Sequence, residues 1–130
     1  MKSFKYLFSL LFLIAAFSAS AQTVYFCEGV DDDGYPEGEA STFTIPSDGG
    51  YLYVLTRLPY ECGTDEIVFD IYTVDYDGYE TFSTTLYMDV ESDWSWFWKK
   101  VTFYDSGTYK VYVYDGDDNF LASGKVRITF

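Results

Sequence analysis

Between residues 96 and 104 aromatic and apolar side chains crowd a short run, and Asp105-Ser106-Gly107-Thr108-Tyr109 follows at once. So apolar a strand can stop and restart within five residues only by turning, and Asp and Gly are the residues that make a tight turn cheap. The same punctuation recurs along the chain. After residue 22 apolar residues come with a period of two, interrupted by clusters of Gly, Pro and Asp, and no stretch keeps a helical period. The pattern predicts an all-β fold.

The expected strands follow from that alternation. Segments 42–46 and 51–58 flank Ser47-Asp48-Gly49-Gly50, which reads as a hairpin. Segment 66–74 puts Ile67, Phe69 and Ile71 on one face and Val68, Asp70 and Tyr72 on the other. Segment 79–88 alternates through Phe82, Thr84, Leu86 and Met88. Segment 108–115 turns Tyr109, Val111 and Val113 inward, and 125–130 does the same with Val126, Ile128 and Phe130.

Residues 96–109, read as hydrophobic-x-hydrophobic-x-x-Val followed by Asp-x-Gly-x-Tyr, resemble the corner between strands E and F of immunoglobulin-like domains. The resemblance implies a single antiparallel β-sandwich of about seven to eight strands. It implies that Tyr109 returns its hydroxyl to upstream backbone, that Asp105 and Gly107 shape the corner, and that Trp96 and Trp98 point into the core. The chain also departs from the antibody type: Val111 stands where a cysteine would be, and strand C carries no Trp. An outer-membrane barrel is the competing all-β fold. Its eight strands of about 9 to 11 residues would nearly exhaust the chain, and Asp70 and Lys110 would fall on faces that lipid takes.

Lys2 and Lys5, an apolar run from Tyr6 to Phe17, and Ala19-Ser20-Ala21 have the order of an export signal. The expected organisation is a signal peptide at 1–21, an N-terminal strand and acidic loop at 22–40, and the sandwich at 41–130, in a secreted or periplasmic protein with no membrane insertion. Removing the leader takes two lysines and no acid, so the net charge falls from −13 to −15. Nucleic acid demands a basic face and is excluded as a partner, whereas cations and basic proteins are favoured. Cys27 and Cys62 both lie in the exported part, where a disulfide between them would persist.

Counting strand reversals sorts the loops by end, because each antiparallel strand reverses the chain. Most of the acidic loops then fall at one pole: 31–39, 61–66, 89–93 and 115–118. The same count places Cys62 beside the segment holding Cys27. Crowded carboxylates repel, so they splay into water or gather round a cation, and hard oxygen ligands suit calcium. Asp31, Asp33, Asp115, Asp117 and Asp118 are the candidate ligands, although Asp-Gly pieces are also ordinary turn chemistry.

Tyr72, Tyr112 and Tyr114, with Lys125 and Arg127 alongside, form the candidate binding face if strands C, F and G neighbour one another as the resemblance implies. Tyr and Arg are residues that interfaces favour. With no His, the usual nucleophilic triads are excluded, and a lone sandwich rarely builds the deep cleft that paired carboxylates need. The chain therefore reads as a non-enzymatic binding module for a protein partner, with a carbohydrate-binding module using exposed aromatics as the alternative.

Overall fold

The computed structural model describes residues 23–130, so the signal peptide expected at 1–21 lies outside the described residues. The strands are β1 (Thr23–Cys27), β2 (Gly29–Val30), β3 (Pro36–Glu37), β4 (Thr42–Thr44), β5 (Gly50–Arg57), β6 (Glu66–Val74), β7 (Glu80–Asp89), β8 (Trp96–Phe103), β9 (Gly107–Asp115) and β10 (Phe120–Thr129). They make a three-stranded sheet in the order β1-β5-β8, a five-stranded sheet in the order β4-β10-β9-β6-β7, and a two-stranded ribbon, β2-β3.

Alternation supplies the core. Leu52, Val54, Phe97 and Val101 from the smaller sheet meet Ile67, Phe69, Val111, Val113 and Val126 from the larger one, all buried. Each such side chain contributes about 1.5–3 kcal/mol on leaving water. Tyr109 packs its ring on Phe103 at 4.8 Å and its hydroxyl donates to the Asp105 carbonyl at 2.9 Å, with Gly107 between them at φ 143°.

The expected hairpin around 47–50 does not form. β4 pairs in parallel with β10 on the larger sheet, while β5 lies between β1 and β8 on the smaller one, so residues 45–49 cross from sheet to sheet. β1 takes the place beside β5 that β4 would have filled.

Four aromatic side chains also differ from expectation. Trp96 and Trp98 face outward, and Phe97 is the buried residue, because β8 keeps strict alternation back from Val101. Trp98 is 43 % exposed. Phe82 leaves the face of Thr84 and Leu86, since a bulge opposite Ile71–Tyr72 inserts Ser83 and turns Phe82 to the outer side. Phe130, expected inward, is exposed.

Cys27 and Cys62 are separate buried thiols, not a disulfide. Cys27 stands opposite Tyr53, four residues along β5 from Arg57, whereas Cys62 lies beyond Arg57 with its amide on the Trp94 carbonyl. Four residues of strand span about 13 Å, and a disulfide needs Cα atoms within about 7 Å.

Candidate binding surfaces

The three acidic turns share one construction. In Asp31–Tyr35, Asp75–Tyr79 and Asp115–Asn119 the first amide donates to the fifth carbonyl at 3.0 Å, and the first Oδ1 accepts the fifth amide at 2.8 to 2.9 Å. The fourth residue is left-handed each time: Gly34 at φ 82°, Gly78 at 90° and Asp118 at 65°. Asp31 also accepts from the Asp33 amide, and Asp115 from the Asp117 amide, both at 2.9 Å. Burial pushes Asp115 up, but the hydrogen bonds from Asn119 and Asp117 outweigh it and hold its carboxyl below the ordinary value.

The loops 59–65, 90–95 and 116–119 do converge at one end. The Val90 amide donates to the Asp65 carbonyl at 3.1 Å, and the Gly116 amide to Thr64 Oγ1 at 3.2 Å. An open cleft of about 790 Å³ among them is lined by Asp65, Glu66, Asp89 and Asp117. The tip holding Asp31 and Asp33 is tied to the smaller sheet at the same end, beside Arg57 and Trp96. Arg57 donates to the Asp33 and Gly34 carbonyls and covers the Tyr35 ring at 4.3 Å. Among the described residues no group of three or more His, Cys, Asp or Glu could hold a metal ion. The five aspartates proposed as calcium ligands divide between two turns, and Asp31 and Asp115 each spend Oδ1 on turn amides.

The larger sheet does bring Tyr72, Tyr112 and Tyr114 together. Register places them on the outer face of β6 and β9, where β7 adds Phe82 and Tyr87 and β10 adds Phe120. Rings run in contact from Phe82 to Tyr72 (5.6 Å), Tyr72 to Tyr112 (5.5 Å), Tyr112 to Phe120 (6.5 Å) and Phe120 to Tyr114 (6.0 Å). Phe82, Tyr87 and Phe120 are each more than half exposed. Lys110 Nζ lies over the Tyr112 ring at 5.5 Å, while Lys125 and Arg127 sit opposite Lys110 and Thr108, toward the other end of the same face.

Within this face Asp70 accepts a 2.7 Å hydrogen bond from Thr85 Oγ1, and Tyr112 donates one of the same length to Glu80 Oε1. That bond to a carboxylate is the chief reason the Tyr112 phenol is pushed up to about 12. Sequence reasoning missed Phe82, Tyr87, Phe120 and Glu80. Bulges at Ser83 and between Phe120 and Ala122 decide which side Phe82 and Phe120 take, and period two does not register them.

Trp94 in the 90–95 loop and Trp98 on β8 stand 41 % and 43 % exposed beside a cleft of about 650 Å³ shared with Met88, Asp93 and Phe97. Trp98 meets the Tyr53 ring edge-on at 5.0 Å, and Lys100 Nζ lies 3.9 Å over Tyr51.

No protein-family model and no curated protein sequence matches the chain. Its fold is similar to that of an immunoglobulin-like protein from Pseudomonas aeruginosa, with a TM-score of 0.51 at 11 % identity over 82 % of this chain and 91 % of that one. A likeness at that identity speaks to architecture alone. The protein is an immunoglobulin-like β-sandwich.

Proposed function

We propose that the protein is an exported, non-enzymatic binding module that docks a protein partner on the outer face of its five-stranded sheet. The observation that carries this reading is the unbroken run of rings from Phe82 through Tyr72 and Tyr112 to Phe120 and Tyr114, open to water on a rigid sheet. Aromatic anchors of this kind supply the buried centre of interfaces at low entropic cost. The net charge of −13 adds a long-range attraction for partners with a basic surface. The test is recovery of partners from the exporting cell with tagged protein and with the double variant Phe82→Ser, Phe120→Ser. A partner held by the native protein and by Trp94→Ser, but lost by the double variant, is expected; equal recovery by all three would overturn the reading.

A second reading, a carbohydrate-binding module, draws on the exposure of Trp94 and Trp98 beside an apolar cleft that also carries Asp93. Exposed indoles offer faces on which sugar rings stack. Oligosaccharides that shift the indole emission of the native protein, and not of Trp94→Ser, would favour it.

A further inference from the structure

β8 is the terminal strand of the smaller sheet and pairs with β5 alone. The Leu58 amide donates to the Ser95 carbonyl at 2.8 Å, which fixes the phase of that ladder. The backbone groups of Phe97, Lys99 and Val101 therefore face β5, and those of Trp96, Trp98, Lys100 and Thr102 face the open side. Across the gap β7 is the terminal strand of the larger sheet. Between the two edges runs a groove, about 650 Å³ around Met88, Trp94 and Phe97 and about 460 Å³ around Leu86, Lys99 and Val101.

The alternation that buries Phe97 and Val101 turns Lys99 into this groove, where it is half-buried. Among the described residues its ammonium has no hydrogen-bond or ion-pair partner. An inward lysine on an edge strand discourages pairing with another sheet. It also leaves a half-buried cation in a groove walled by Leu86 and Val101 together with the hydroxyls of Ser83 and Thr84, an arrangement that favours whatever brings it a carboxylate.

We propose that the open side of the sandwich is a strand-addition site for an extended segment of a protein partner with the pattern apolar-x-acid-x-apolar. The incoming strand pairs with the free backbone groups of Trp96, Trp98, Lys100 and Thr102. Residues opposite Phe97, Lys99 and Val101 then occupy the close pairs of the new ladder, where Cα atoms are about 4.5 Å apart and side chains meet. The carboxylate lies on Lys99, and the apolar residues two places to either side lie on Phe97 and Val101. Close pairs of this kind belong to an antiparallel ladder, so the incoming strand runs antiparallel to β8. A single acid among neutral residues fits better than an acidic run, because the net charge of −13 repels the latter. This surface is separate from the aromatic face of the larger sheet, so either can fail without the other.

The experiment titrates native protein with soluble synthetic peptides of alternating Val and Thr, flanked by Gly-Ser and carrying a central Glu or a central Lys. The Glu peptide is expected to bind, moving the amide resonances of Trp96, Trp98 and Lys100, and the Lys peptide to bind about tenfold more weakly or worse. Lys99→Glu is expected to reverse that order; should it fail to fold, Lys99→Gln is expected to erase it. A preference that survives either substitution, or resonance shifts confined to other strands, would overturn the site. So would native protein that binds neither peptide while Lys99→Val dimerises, which would make Lys99 only a guard against self-pairing.

Discussion

The Tyr112 hydroxyl on β9 reaches over β6 to Glu80 Oε1 on β7 at 2.7 Å, so one hydrogen bond ties together three strands of the larger sheet. It holds the Tyr112 ring across Tyr72, at a centroid separation of 5.5 Å. The expected signature is one phenol that ionises near 12 in an absorbance titration and returns toward the ordinary 10.0 in Glu80→Gln. The sign follows from linkage. Below pH 10 folded and unfolded chains both keep the proton and the bond's contribution is complete; it is lost as pH rises toward about 12, because the unfolded chain ionises first. The bond is solvent-exposed, so added salt should shrink the shift.

Tyr109→Phe removes the hydroxyl that the Asp105 carbonyl accepts at 2.9 Å and leaves the ring on Phe103. Urea unfolding is expected to show a loss of about 1–2 kcal/mol with an unchanged m-value. A change within a few tenths would mean that the corner draws nothing from this bond.

Asp118 is the one non-glycine with positive φ among the described residues, at the place where the two sister turns have Gly34 and Gly78. Asp118→Gly is expected to raise stability by up to about 1 kcal/mol in thermal unfolding, relief of left-handed strain exceeding the added freedom of the unfolded chain. Asp115→Ala is expected to do the reverse by about 1 kcal/mol, since three hydrogen bonds in that loop converge on its carboxylate.

These turns also show how far the residues could be read in advance. Asp-x-x-Gly stands in each of the first two, and counting reversals put 31–39, 61–66, 89–93 and 115–118 at one pole, because both readings depend on local backbone chemistry. The partner of β4 was not legible: the choice between β5 and β10 is settled by which neighbour buries Phe43 and Ile45, a long-range competition. Trp96 and Trp98 misled for a related reason. An indole on an outer face that is partly covered by neighbouring rings has the composition of core, and only the parity counted from Val101 separates it from Phe97. The tyrosine face was half legible, its β6 and β9 members being regular and its β7 and β10 members set by bulges.

Gly34 lies flat on the Trp96 indole; a Cβ built there would come 2.3 Å from Cδ2, at a φ of 82°. Gly34→Ala is expected to lift the β2-β3 ribbon from the smaller sheet at a cost of about 1–3 kcal/mol. Hydrogen exchange checks it: amides of residues 28–37 should exchange faster while those of β6 and β9 keep their protection. Uniform loss of protection would mean that the ribbon and the sandwich unfold as one unit.

The separation of Cys27 from Cys62 sets the redox behaviour of the whole molecule. With neither thiol cross-linked, no disulfide has to form on the way from the nascent chain to its folded state, and no thiol oxidant or disulfide isomerase is needed for folding. Reductant is expected to leave the melting temperature where it is, and a chain beginning at residue 22 made in a reducing cytosol should match exported material in melting temperature. Burial raises the Cys27 thiol above its ordinary value, so it stays protonated and slow toward alkylating reagents until the β1-β5 ladder opens. The rate of its labelling is thus a clock for the detachment of β1, readable by mass without any engineered probe.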